Sequence, residues 1–247
     1  NATRFVEVAP HAVPLDAGAT GTTAYDASLG GAAFPPVTDL WSSVESLSDY
    51  DVVLGACEGG QFPDNKGAAA VAAMDAYTAA GGRMFAEHWH NYWFQNGAAP
   101  FPAVANWSFQ NDLGNITADI NTSFARGADL ADWLVNTGAS TTPGQIDIVD
   151  AQHTVTTVEP TLGDRWIYKD VTANALPSVQ YFQVTTPLDA LPADRCGKMV
   201  FSDIHVSSGD FTGLPFPTGC STTTLSPQEM VLAFMLFDIA SCVDDID

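Results

Sequence analysis

Two histidines lie two residues apart in the segment GGRMFAEHWHNYWF (81–94), among aromatic side chains. Histidine is the commonest ligand for transition metals near neutral pH, and His88 and His90 on an extended segment would face the same side. With His205 they would form a three-nitrogen set with an open fourth position, as in catalytic zinc sites, and Cu(II) also suits nitrogen ligands. The spacing therefore predicts a Zn or Cu site. The alternative is packed, hydrogen-bonded core histidines, because no HExxH-type signature accompanies them.

Other residue types near these histidines could supply acid–base or binding chemistry. Glu58 and Asp203 could act as ligands, orienting groups or general bases, beside His88 and His205 as the other candidate catalytic residues. The flat faces of aromatic side chains are suited to the apolar faces of sugar rings if they are exposed. The candidate ligand-binding aromatics are Trp89, Tyr92 and Trp93.

A strand–helix–strand unit is predicted to position the first of these residues. YDVVLGAC (50–57) is a continuous apolar run, KGAAAVAAMDAYTAAGG (66–82) is rich in helix-forming alanine, and RMFAEHW (83–89) is a second apolar run. Such a unit implies two parallel strands joined by a crossover helix. Asp64 or Asn65 is the expected N-cap, and the glycine pair 81–82 the expected stop.

The rest of the chain continues the α/β pattern. Residues 95–123 are expected to form an irregular excursion, 123–136 a helix, 145–190 short strands and 197–206 a core strand. The helix 226–242 begins with a capping box, Ser226 and Glu229, and is apolar nearly all round, so it should be well covered. We therefore expect one α/β domain over 1–247, with an insertion over 95–190.

Ligands of open α/β sheets bind outside the carboxyl ends of the strands. Three predicted strand ends carry chemistry: Glu58 follows the first, His88 and His90 follow the second, and the segment DIHVSSGD (203–210) follows the late strand. They are expected to converge on one edge.

Composition excludes several functions. The net charge is −21, from 29 acidic and 8 basic residues. Nucleic-acid binding needs a positive surface, so no nucleic-acid partner is expected. No apolar stretch reaches membrane-spanning length, so we expect no membrane insertion. The sequence also lacks a G-x-S-x-G elbow and a phosphate-binding loop with Lys-Ser/Thr.

Four dispersed cysteines in a chain with few lysines indicate an oxidising compartment, and so a secreted or cell-surface protein. Cys57 should lie at the carboxyl edge of its strand and Cys220 near the same edge. Cys196 precedes the late strand, and the last helix should return Cys242 to that opposite edge. We expect Cys57–Cys220 and Cys196–Cys242 disulfides, because bridged Cα atoms lie within about 7 Å. The alternatives are Cys196–Cys220 and free thiols.

The stretches YDVVLGACEGG and AAGGRMFAEHWH, with a helix between them, resemble the class I glutamine amidotransferase-like fold and its trehalose-utilisation (ThuA-like) branch. The resemblance places His88 where amidotransferases carry the catalytic Cys, and His205, in MVFSDIHVS, where they carry the catalytic His. The acidic residue that follows this His is replaced by Ser207. It implies a flavodoxin-like three-layer α/β sandwich with a mainly parallel central sheet, and no glutamine hydrolysis, because position 88 has no thiol.

Three functions are compatible with these observations. The first is a secreted or surface-exposed module without amidotransferase activity that binds an extracellular small molecule or polymer, such as a carbohydrate, at the carboxyl edge of the sheet. The second is a metal-dependent hydrolase that uses the three histidines. The third is a structural component of a surface assembly, in contact with other parts of a longer precursor or of that assembly.

Overall fold

The computed structural model describes residues 5–7, 35–56, 59–173, 175–206 and 225–241. The strands in these ranges are β1 (Phe5–Glu7), β2 (Val52–Gly55), β3 (Arg83–Glu87), β4 (Ala105–Trp107), β5 (Gly114–Ile120), β6 (Gln145–Ala151), β7 (Val155–Val158), β8 (Asp164–Lys169), β9 (Ser178–Thr186) and β10 (Gly197–Ser202). The α-helices are α1 (Val37–Leu40), α2 (Val44–Leu47), α3 (Ala68–Ala79), α4 (Tyr92–Asn96), α5 (Ala125–Asn136) and α6 (Pro227–Ala240). Short 3-10 helices cover Pro63–Asn65, His88–Asn91, Phe101–Ala103 and Pro192–Asp194.

Eight strands form one mixed sheet in the order β1-β2-β3-β10-β9-β8-β5-β6, and β4 pairs antiparallel with β7 in a second sheet. β2 lies parallel to β1 and β3, whereas β5 is antiparallel to β6 and β8. Most strands of the sheet run antiparallel, so the expected mainly parallel, flavodoxin-like sheet is wrong. The reason lies in the connections: 170–177 and 187–196 are shorter than the dozen or more residues that a parallel crossover needs.

The described residues divide into two compact units. The first contains 5–7, 35–56, 59–104 and 183–201, and the second contains 105–173, 175–182, 202–206 and 225–241. The single domain over 1–247, with its insertion over 95–190, stays a prediction.

The first unit contains the predicted strand–helix–strand arrangement. β2 and β3 pair in parallel, with Gly55 opposite Ala86, and α3 connects them. The apolar stripe of α3 is buried: Val71, Met74 and Tyr77 are 8%, 1% and 2% exposed. The helix begins one residue after Gly67 rather than at Asp64 or Asn65, because residues 63–65 form a 3-10 turn. Gly81 follows the helix with φ 103, a left-handed conformation that favours glycine.

The second unit is built around Trp166, which is fully buried and packs against Phe124, Tyr181 and Phe234. Its helices α5 and α6 are the two predicted from the sequence. β4 and β5 lie within the stretch 95–123, so the expectation of an irregular excursion there was wrong.

Helix α6 begins with the predicted capping box: the Ser226 hydroxyl accepts from Glu229 N, and the Glu229 carboxylate accepts from Ser226 N. As expected, the helix is well covered: its residues are buried or half-buried except Phe237, which is 75% exposed. No helix in the described ranges is long and apolar enough to cross a membrane.

Candidate functional site

The chain turns sharply where β3 ends. β3 is buried up to Glu87, and His88 then adopts φ 41 before the 3-10 helix His88–Asn91 leads directly into α4. A left-handed backbone is uncommon for a residue with a side chain and often marks a functional position. The register between β2 and β3 brings the end of β2 to the same edge as this turn. We call the segment 88–92 the β3 turn.

His88 and Trp89 form a half-buried ring pair on the β3 turn. Their ring centroids are 4.6 Å apart and their planes are inclined by 33°. Tyr92, three residues beyond Trp89, is also half-buried. The turn therefore presents aromatic faces that are partly accessible to a ligand.

His90 faces the interior instead. It is completely buried, its Nδ1 accepts a hydrogen bond from Trp93 Nε1 at 3.1 Å, and its ring packs against Gly55. A Cβ at Gly55 would lie 2.9 Å from that ring, so glycine is required there. The expectation that His88 and His90 face one side was wrong, because the segment is helical and residues two apart in a 3-10 helix point in different directions.

Trp93 was a candidate ligand-binding residue, and the structure places it in the core. It is 1% exposed and packs edge-on against Trp41 at a centroid distance of 5.2 Å. Its face is therefore not available to a ligand, whereas those of Trp89 and Tyr92 are partly available.

Three amide side chains cluster at the β3 turn, and no local sequence pattern indicates them. Gln61 Nε2 donates to Asn91 Oδ1 at 3.0 Å and to Gln95 Oε1 at 2.7 Å. Asn91 is fully buried, and its Nδ2 has no hydrogen-bond partner in the described part of the chain. A buried N–H without an acceptor costs free energy, so this donor marks a place where an acceptor is missing. We call Gln61, Asn91 and Gln95 the amide cluster.

The structure describes only some of the other residues that the sequence places at this edge. Glu58 and Cys57 lie outside the described residues, so their predicted roles stay predictions. Within the described ranges, no group of three or more His, Cys, Asp or Glu side chains could hold a metal ion. The predicted Zn or Cu site of His88, His90 and His205 stays a prediction.

Asp203 and His205 belong to the second unit. Asp203 is fully buried; its Oδ2 accepts from Thr154 N at 2.8 Å, and its Oδ1 has no partner among the described residues. Burial raises the pKa of Asp203 to about 7, against the lowering effect of hydrogen bonds from Thr154 and Val155, and the charge of Asp112 raises it further. Asp203 is thus poised to exchange a proton near neutral pH.

His205 has the opposite perturbation. It is half-buried, and burial lowers its pKa while the carboxylate of Asp112 acts in the other direction. Its main-chain oxygen accepts a hydrogen bond from Gln228 Nε2 of α6. Asp112 therefore acts on both Asp203 and His205.

The segment 152–154 contacts Asp203 through the main-chain N–H of Thr154. The sequence did not indicate this role. Thr154 O and His153 O accept from Ser108 N and Gln110 N, and His153 Nε2 donates to Pro177 O at 2.8 Å. His153 is 1% exposed, although its sequence context is that of an ordinary polar residue. These contacts make the connection between β6 and β7 a fixed support for the Asp203 carboxylate.

Of the four cysteines, Cys196 lies in the described ranges, where it is exposed and bonded to no other described cysteine. Cys57, Cys220 and Cys242 lie outside them. The Cys57–Cys220 and Cys196–Cys242 pairs stay predictions.

No protein-family model matches the chain, and no curated protein matches its sequence. Several solved structures align with it, among them the following two. A putative ThuA-like protein from Bacteroides uniformis is 11% identical, with a TM-score of 0.47 over 79% of this chain and 71% of that chain. A cytoplasmic protein from Salmonella typhimurium is 12% identical, with a TM-score of 0.43 over 83% of this chain and 80% of its own. Neither match assigns the chain to a family.

Proposed function

We propose that the protein is a binding module for a neutral, polyhydroxylated ligand, such as a saccharide, and that the β3 turn and the amide cluster form the site. The observation that carries the proposal is Asn91 Nδ2, a buried donor without an acceptor among the described residues, one turn from the half-exposed His88–Trp89 ring pair. A sugar hydroxyl can accept this hydrogen bond while an apolar sugar face lies against Trp89.

The charges of the first unit favour a neutral ligand over an anionic one. Lys66 and Lys198 are 0% and 5% exposed, and Arg83 stands at the start of β3, away from the turn. Arg195 donates to main-chain oxygens of Leu188 and Ala190. A net charge of −21 adds a general repulsion toward anions.

The resemblance to the amidotransferase-like fold supports the same site and argues against its best-known chemistry. The resemblance aligns position 88 with the nucleophile of that fold, and here it is His88 on a sharp strand-to-helix turn. Without a thiol no thioester can form, so the proposal includes the absence of glutaminase activity. A secreted or cell-surface location is part of the proposal, and it rests on the cysteine content and composition.

Titration of the purified protein with neutral saccharides tests the proposal. The probes are trehalose, maltose, cellobiose and chitobiose by calorimetry, and dextran, xylan and hydroxyethyl cellulose by affinity electrophoresis. We expect at least one neutral probe to bind with a Kd of about 1 mM or tighter. Binding of polygalacturonate with no binding of any neutral probe would contradict the proposal, and so would neutral binding that persists undiminished in Asn91→Ala.

A further inference from the structure

Lys66 is completely buried inside a box of aromatic rings. Its Nζ lies 5.6 Å from the ring centroid of Trp41 and 5.9 Å from those of Phe62, Tyr92 and Trp93. These distances are within the range of cation–π attraction. Lysine is among the side chains that are least often fully buried, because its charged end is strongly hydrated. Its burial here requires a structural or functional reason.

The amine also makes a directed contact with the proposed site. Lys66 Nζ donates to the main-chain oxygen of Gln61 at 2.7 Å. The side chain of that same Gln61 donates to Asn91 and Gln95. Gln61 is therefore held at both ends, its main chain by Lys66 and its amide by Asn91 of the β3 turn and Gln95 of α4.

The aromatic box joins the same two segments. Phe62 belongs to the loop that carries Gln61 and adopts φ 43, whereas Tyr92 and Trp93 directly follow Asn91. Trp41 completes the box and fixes the loop from the other side, because its Nε1 donates to Asn65 O at 2.8 Å. One buried amine thus contacts both the loop after β2 and the beginning of α4.

We propose that Lys66 is a positioning residue of the saccharide site: by holding Gln61 against α4, it sets the orientation of the Asn91 amide that faces the ligand. The inference rests on the proposed function for its ligand, and on the contacts above for its mechanism. Lys66 does not touch the ligand, since its Nζ is enclosed by four aromatic rings and donates to Gln61 O.

The test compares Lys66→Met with Lys66→Arg and with the control Lys198→Met. Methionine keeps the apolar stem in the box but removes the donor and the charge, whereas arginine keeps both. Lys198 is a second buried lysine of the first unit and lies beside Gly82, at the start of β3. Two readouts are taken for each variant: hydrogen exchange of the backbone amides of 59–66, measured without ligand, and the Kd for the neutral saccharide that binds the wild type.

In Lys66→Met we expect exchange in 59–66 to be about tenfold faster and the Kd to be about tenfold weaker. Lys66→Arg should retain most of both, and Lys198→Met should change neither. Unchanged exchange in Lys66→Met, or a Lys66→Arg variant as impaired as Lys66→Met, would overturn the inference. If the wild type binds no saccharide, the proposed function fails, but the exchange result still decides whether Lys66 orders the loop.

Phe62→Leu provides a second measurement if Lys66→Met does not fold. It removes one wall of the box and keeps the hydrogen bond from Lys66 to Gln61. We expect a smaller increase in exchange over 59–66, about two- to fivefold. Exchange equal to that of the wild type would count against the inference.

Discussion

Trp93 Nε1 donates a hydrogen bond to His90 Nδ1 at 3.1 Å, and both side chains are buried. This contact separates the two histidines of the β3 turn. His90 is committed to the core, and His88 remains at the edge of the sheet beside Trp89. The two histidines should therefore respond very differently to substitution.

We expect His90→Ala to lower the free energy of unfolding by about 2–4 kcal/mol, because it leaves a cavity and removes the acceptor of the buried Trp93 N–H. His88→Gly should be neutral or stabilising by up to about 1 kcal/mol, since glycine adopts φ 41 without strain. Urea unfolding followed by far-UV circular dichroism measures both. Equal destabilisation by the two substitutions would contradict this assignment.

Gly55→Ala should destabilise the protein by about 1–3 kcal/mol, because the new methyl group would lie 2.9 Å from the ring of His90. Gly67→Ala is the matched control: a Cβ there meets no atom within 4 Å. The difference in urea midpoint between the two variants measures the effect. If Gly55→Ala is as stable as Gly67→Ala, the ring of His90 does not pack against β2 as described.

Asp203 should make stability depend on pH. Its pKa is raised from 3.8 to about 7 in the folded protein, so between these values the native state binds more protons than the unfolded chain. The contribution of this group to stability is therefore fully present below about pH 4 and is lost as the pH rises to 7. Asn at this position mimics the protonated side chain and should remove that loss.

Asp203→Asn should thus be more stable than the wild type at about pH 8, by an amount of order 1–4 kcal/mol, and nearly equal to it at about pH 3, below the unfolded pKa. Asp132→Asn is the control, because Asp132 is an exposed residue of α5 in the same unit. Thermal unfolding at a series of pH values gives the difference. A stability gain that is the same at both pH values would show that Asp203 is not the titrating group.

The sequence was informative where local chemistry decides the structure. The apolar runs, the alanine-rich helix and its glycine stop predicted the β2–α3–β3 unit, and Ser226 with Glu229 predicted the start of α6. β5 could not be predicted in the same way, because its residues are largely half-exposed and it is held by antiparallel pairing with β6. The parallel-sheet expectation failed for a related reason, since β8, β9 and β10 are joined by the short connections 170–177 and 187–196.

At the candidate site, spacing correctly located His88 at the end of a strand but misjudged the conformation of residues 88–91. β3 ends at Glu87, so the facing of these residues obeys helical geometry rather than strand alternation. Gln61 and Asn91 are thirty residues apart in the chain, and no local pattern links them. The burial of Lys66 could not be predicted, because lysine side chains are usually exposed and this one is covered by four aromatic rings from separate segments of the chain.

Trp89 and Asn91 should contribute to binding in separable ways. Trp89→Ala removes the stacking surface, and we expect the Kd for neutral saccharides to weaken about tenfold or more, with little change in stability because the side chain is half-exposed. Asn91→Asp replaces the buried donor by acceptors and should weaken binding at least as much. Phe109→Ala serves as the control, because Phe109 is 50% exposed and belongs to the second unit. Calorimetric titration of the three variants with the same saccharide separates the outcomes: if Trp89→Ala and Phe109→Ala bind equally well, the ligand does not lie on the β3 turn.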